Sequence, residues 1–124
     1  MMPVTARTTH VTLSPRGEFY LNYGAMLKLG EPVAVRLMFD KEERLVGIAA
    51  GPLNAKASFE LRAKYGPDTP ARIFRATSFC QHLGILPDRT ILFREPQIRD
   101  GVLVLDLKTT VYAPRRAALP KVMR

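Results

Sequence analysis

The chain has 124 residues, 47% hydrophobic and 24% charged, with 19 Lys/Arg against 11 Asp/Glu for a net charge of +8. That length holds one hydrophobic core with little left for a second, and the composition is that of a folded globular domain. There is no apolar run near the ~20 residues that cross a bilayer, no apolar centre of a secretion signal in MMPVTARTTHVTLS, and a single cysteine, Cys80, which excludes an intrachain disulfide and a thiolate-rich metal site. The expectation is a cytoplasmic protein with no membrane contact and no cofactor.

In chain order, HVTL (10–13) alternates polar and apolar residues as a half-buried strand does. SPRG follows, with Pro15 suited to the second position of a turn and Gly17 to a positive φ. EFYLN resumes the strand, and Asn22 is placed to cap a helix over YGAMLKL, whose Tyr23, Met26 and Leu27 share a face at i, i+3 and i+4. Gly30 stands at the helix C-cap and Pro32 prevents continuation. VAVRLMFD is then a strand, KEE a polar turn and RLVGIAAG a returning strand, in which Gly47 marks a bulge or a close backbone approach.

The second half follows the same order. SFELRAKY (58–65) sets Phe59, Leu61, Ala63 and Tyr65 against Glu60, Arg62 and Lys64, a pattern that suits a strand, although its composition suits a helix equally. GPDTP is a turn, ARIFRAT a strand, and SFCQHLG a two-turn helix capped by Ser78 or Thr77 and stopped by Gly84. RTILFREP, a turn near IRDG, and VLVLDLKTTVY form a closing hairpin. Leu29-Gly30 and Leu83-Gly84 lie 54 residues apart, and Pro32 and Pro87 lie 55 apart. With seven elements in the same order, an internal duplication is expected, and it favours a strand over 58–65. The expected organisation is one domain, 1–112, made of repeats at about 8–51 and 57–112, followed by a basic tail over 113–124.

Charge is unevenly spread. Residues 1–51 carry 6 Lys/Arg against 5 Asp/Glu and residues 52–112 carry 9 against 6, whereas APRRAALPKVMR carries Arg115, Arg116, Lys121 and Arg124 with no acid. Half of the excess therefore lies in a proline-containing tail with little pattern, which reads as a loosely packed extension able to contact phosphates.

The segment GEFYLNYGAMLKLGEPVAVRLMFDKEERLVGI, with a turn glycine, an apolar strand, a short helix ending in Leu-Gly thirteen residues on and an acidic-turned hairpin, resembles the AbrB/SpoVT/MazE transition-state-regulator family. The likeness covers residues 10–51 well and 58–108 more weakly. It implies a mainly β fold with two short helices, in which two β-β-α-β-β units interlock as swapped hairpins into a small barrel. Two copies in one chain would give a monomeric pseudo-dimer, or the chain would form a homodimer. Independently of the family, one hairpin with a seven-residue helix cannot bury its apolar face, and a second copy supplies the missing layer. The helix is thus expected as a plug in the core and not as a reader of DNA.

Many family members bind DNA, with basic residues after the turn glycine and in the short helix before its Leu-Gly. Here Glu18 follows Gly17, and Met26 and Leu27 occupy the helix positions; in the second half Arg72 matches Glu18, while Cys80 and Gln81 match the helix positions. The candidate nucleic-acid contacts are Arg16, Arg62, Lys64, Arg72, Arg75, Arg115 and Arg116, all suited to phosphates, and strands of this kind can enter a groove.

Enzyme chemistry finds little purchase. Cys80 and His82 are two apart on a helix, about 200° around its axis, too far for a local thiolate–imidazole pair. Asp40, Glu42 and Glu43 read as a solvated hairpin tip, and Asp100-Gly101 as a turn. Asp106 interrupts LVLDLK on the face opposite Leu103, Leu105 and Leu107, near a strand end. LGEP and AAGP lack the lysine and spacing of a phosphate loop. Two readings remain: a DNA-binding regulator or antitoxin-like protein, and a non-enzymatic protein-interaction module such as a mobile-element or phage accessory protein. A continuous positive face would favour the first, and scattered charge the second.

Overall fold

The structure is a computed structural model that describes residues 8–64, 66 and 68–114. It is mainly β, with two short helices and two antiparallel sheets packed around one core. The first half supplies β1 (Val11–Leu13), β2 (Glu18–Leu21), α1 (Tyr23–Leu29), β3 (Ala34–Asp40) and β4 (Leu45–Ala50). From the second half come β5 (Ser58–Glu60), β6 (Arg62–Ala63), β7 (Arg72–Arg75), α2 (Thr77–Leu83), β8 (Ile91–Phe93), β9 (Gln97–Arg99), β10 (Val102–Asp106), a 3-10 turn (Leu107–Thr109) and β11 (Thr110–Tyr112). Sheet A runs β11-β8-β1-β2-β7-β6 and sheet B runs β5-β3-β4-β10-β9. Each sheet therefore mixes strands from both halves.

Alternation explains the core. Val11 and Leu13 of β1, Phe19 and Leu21 of β2 and Phe93 of β8 point inward from sheet A, to meet Val35, Val46, Ile48, Leu103 and Leu105 from sheet B. Phe19 and Phe74, directly opposite on β2 and β7, stack with ring centroids 5.0 Å apart and planes 13° apart. The sheets are stitched at their margins by arms that change partner: β5 pairs with β3 in sheet B and β6 with β7 in sheet A, with buried Leu61 between them. On the other side, β8 and β9, and β10 and β11, divide one long hairpin between the two sheets.

Two ladders have a particular register. β2 pairs with β7 as Glu18↔Arg75 through Leu21↔Arg72, a reciprocal register centred on the rung Phe19↔Phe74, 55 positions apart, about which inward and outward faces are kept. Leu45–Ala49 of β4 pairs in the same reciprocal way with β10, 57 positions on, as Leu45↔Asp106 through Ala49↔Val102. The helices lie 54 apart, and each ends on a left-handed glycine, Gly30 at φ 84° and Gly84 at φ 67°.

Several local expectations are corrected. Helix α1 buries Gly24, Ala25, Met26 and Leu29, while Leu27 is 42% exposed; the inward stripe is turned from the Tyr23–Met26–Leu27 face because Ala25 and Leu29 also meet the core. Asn22 does cap α1, its Oδ1 accepting the Ala25 N–H at 2.9 Å. The N-cap of α2 is Ala76, without a side-chain bond, and the Thr77 hydroxyl donates instead to the Arg16 carbonyl at 2.6 Å. Segment 58–65 is two short strands, because the Leu61 N–H turns to the Val33 carbonyl at 3.0 Å; Tyr65 lies outside the described residues. VLVLDLKTTVY is likewise broken where Asp106 accepts the Lys108 N–H at 2.8 Å and caps the 3-10 turn. Gly47 makes no bulge: its ladder is continuous, and the close approach is that of Val102, whose Cγ1 is 2.9 Å from where a Cβ would stand.

Candidate nucleic-acid interface

The predicted cations divide into three groups. Arg16 sits exposed in the β1–β2 turn, a tight turn that needs Gly17 at φ 83° and closes with the Gly17 N–H donating to the Ser14 carbonyl at 3.0 Å. That turn abuts the end of β7, where the Ala76 N–H donates to the Gly17 carbonyl at 2.8 Å, so Arg75 emerges beside it. Arg62 lies opposite Ile73 and therefore on the same outward face as Arg75. Arg16, Arg62 and Arg75 are exposed and make no ion pair among the described residues, and together they edge one margin of sheet A.

Lys64 and Arg72 are engaged elsewhere. The Lys64 ammonium pairs with Glu18 Oε1 at 3.4 Å across sheet A. Arg72 is opposite buried Leu21, hence on the inward side of its strand, and its Nη1 donates to the carbonyls of Thr69 and, at 3.0 Å, Ala71. Its guanidinium thus closes its own turn. Arg115 and Arg116 lie outside the described residues.

The outer face of sheet A also forms a groove of about 850 Å³ that the charge pattern did not single out. Tyr20, Thr12 and His10 line its floor, Glu18 and Lys64 one wall, and Asp88 and Arg89 the other. That second wall is ordered by Tyr112, whose hydroxyl donates to Asp88 Oδ1 at 3.1 Å and whose ring lies 4.1 Å from the Arg89 guanidinium carbon. Strand alternation in EFYL already turns Tyr20 away from Phe19 and Leu21. The pairing of Arg89 with Tyr112 spans 23 residues and has no local signal.

The titratable groups considered for catalysis are dispersed. Cys80 is fully buried, and desolvation pushes its thiol from 9.0 up to about 11, which disfavours the thiolate. His82 is exposed on the same helix. Asp106 is held below the usual carboxylate range, chiefly by the Lys108 backbone N–H and then by the Lys108 side chain. Among the described residues no group of three or more His, Cys, Asp or Glu is placed to hold a metal ion, and no helix is long and apolar enough to cross a membrane.

Comparison with protein-family models, with curated proteins and with solved structures finds no match to this chain.

Proposed function

We propose that the chain is a duplicated swapped-hairpin domain, a single-chain pseudo-dimer of the AbrB/SpoVT/MazE type, that acts without catalysis as a DNA-binding regulator or antitoxin-like protein. The duplication is supported by the similar spacing of matching elements: α1 and α2 lie 54 apart, β2 and β7 pair about Phe19 and Phe74, 55 apart, and β4 and β10 pair about Gly47 and Val104, 57 apart. It is also supported by the placement of the β1–β2 hairpin between β8 and β7, two strands of the other half. In this reading Phe19 stacked on Phe74 is the centre of the pseudo-twofold, and α1 and α2 are core plugs.

The observation that carries DNA contact is the margin of Arg16, Arg62 and Arg75, three exposed guanidinium groups on adjoining elements that make no ion pair among the described residues, Glu18 opposite Arg75 being paired with Lys64. Guanidinium groups in this arrangement suit successive phosphates, and the tail with Arg115 and Arg116 adds four further cations in sequence. Each phosphate neutralised releases counterions, so affinity falls with salt by a log–log slope of about −0.9 per contact. The test is fluorescence anisotropy on mixed-sequence duplex over a salt series. Binding at low salt is expected, with the slope reduced by roughly 2 to 3 in R16Q/R62Q/R75Q; no binding to any duplex at low salt sinks the proposal.

The second reading, a protein-interaction module, is favoured by the charge balance of the described residues, 14 Lys/Arg against 11 Asp/Glu. On that reading the groove over Tyr20 is the partner's seat. Tyr20→Ala would then abolish partner capture, and the triple arginine variant would leave it intact.

A further inference from the structure

The outer face of sheet B has a composition that its strand registers turn into a pattern. Three rows of outward residues cross the sheet. One row joins Arg36, Ala49, Val102 and Arg99; the next joins Met38, Gly47, Val104 and Gln97; the third joins Asp40, Leu45 and Asp106. The centre is thus apolar and low, with a shallow depression of about 200 Å³ beside Met38 and Gly47. Two arginines stand one row to one side of it, and two aspartates stand one row to the other. Arg36 and Asp40 belong to one strand, two residues either side of Met38, and both are exposed.

We propose that this face is a self-association surface on which a second copy of the chain packs, related by a twofold axis that lies in the interface and runs across the strands along the Met38–Gly47–Val104–Gln97 row. Rotation about that axis reverses the strand direction and preserves the order of strands. It sets Arg36 of each copy against Asp40 of the other, and Arg99 near Asp106. The alternative axis, along the strands, would set arginine row on arginine row and aspartate row on aspartate row, and like charges directly opposed are unfavourable. The charge pattern therefore selects one of the two ways in which aligned sheets pack face to face. Gly47 keeps the middle low: a Cβ there would stand 2.9 Å from Val102 Cγ1 and 3.5 Å from Met38 Cε, so those side chains lean over the backbone and present a continuous apolar centre. Asp106 already holds the Lys108 ammonium at 3.1 Å, whereas Asp40 accepts only the Glu43 N–H on Oδ1 at 3.0 Å and Arg36 reaches only Met38 Sδ at 3.8 Å, which leaves Arg36 with Asp40 as the stronger of the two intermolecular pairs. This association is separate from DNA contact, which uses sheet A.

Sedimentation velocity on the full chain at roughly 0.1 mM, enough to hold about four-fifths of it as dimer even at a Kd of about 10 μM, should give a predominantly dimeric species. R36D and D40R each juxtapose like charges twice per dimer and should weaken association by about tenfold or more. The double variant R36D/D40R restores opposite charges with their signs exchanged, and should return the affinity to within roughly threefold of the unmodified chain. Thermal unfolding verifies that each variant is folded, which is expected because both residues are exposed, although D40R also gives up the hydrogen bond from the Glu43 N–H in the β3–β4 turn and should lower the unfolding temperature by a few degrees. A monomer in the unmodified protein overturns the proposal, whether residues 115–124 or a different protein then covers the face. Single variants with unchanged association overturn it too, as does a double variant no better than the singles.

Discussion

Gly17 and Gly30 have nearly the same backbone conformation, φ 83° and 84°, in very different surroundings. A Cβ at Gly17 would stand 2.7 Å from Thr77 Cα and 3.0 Å from Thr77 N, whereas nothing lies within 4 Å of one at Gly30. Gly17→Ala combines left-handed strain with a backbone clash at the contact between the first turn and α2, and should destabilise the fold by about 2–4 kcal/mol. Gly30→Ala carries the conformational term alone, about 1 kcal/mol. Urea unfolding of the two variants separates the contributions. Cys80 is tested by pH. Its folded thiol titrates at about 11 against an ordinary 9.0, so the unfolded chain loses that proton first as pH rises. The stabilisation is full below pH 9 and declines between 9 and 11, because the unfolded state then binds fewer protons than the folded one. A Cys80→Ala variant should show a flatter stability profile over that interval, and the native thiol should react with a disulfide reagent at pH 8 only as fast as the protein opens.

Helix caps separate the two short helices. Asn22 Oδ1 accepts the Ala25 N–H at 2.9 Å and the His10 N–H at 2.9 Å, and its Nδ2 donates to the Thr8 carbonyl at 2.9 Å, so one side chain caps α1 and secures the entry to β1. Asn22→Ala should cost about 1–2 kcal/mol. Ser78, read from sequence as a possible cap, lies beyond the N-cap of α2, and Ser78→Ala should change stability by less than about 0.5 kcal/mol in the same urea assay. The strands, both helices and their glycine stops are legible locally, because alternation, Asn22, Gly30 and Gly84 act within a few residues. The break at Leu61 is not, since Phe59, Leu61 and Ala63 alternate without interruption; what changes there is the partner strand. The candidate interface divides on the same line. Arg16, Arg62 and Arg75 are legible as surface cations, but the ion pair of Lys64 with Glu18 depends on how β6, β7 and β2 align, and the loss of Arg72 to the Thr69 and Ala71 carbonyls depends on the path of its turn.

At the scale of the whole molecule, the strand order makes a demand on folding. β1 has β2 and β8 as neighbours, β2 has β7 on its other side, and β4 is flanked by β10, so the inner ladders of both sheets cross between the halves. The first half by itself keeps only the β1–β2 and β3–β4 hairpins, with Phe19, Leu21, Val46 and Ile48 uncovered. Hairpins in that condition are at best marginal in water. A fragment of residues 1–51 and a fragment of residues 52–124 should each lack a cooperative thermal transition. Mixed in equal amounts, they should recover strand circular dichroism and a concentration-dependent transition, because each supplies the partners for the other's open edges. A first-half fragment that unfolds cooperatively alone would show that the cross-half ladders are dispensable, and would break the link between the reciprocal registers of β2–β7 and β4–β10 and the stability of the fold. Recovery on mixing, together with its loss when Phe74→Ala is placed in the second fragment, would locate the coupling at the stacked Phe19–Phe74 pair, where the halves meet 5.0 Å apart in the core.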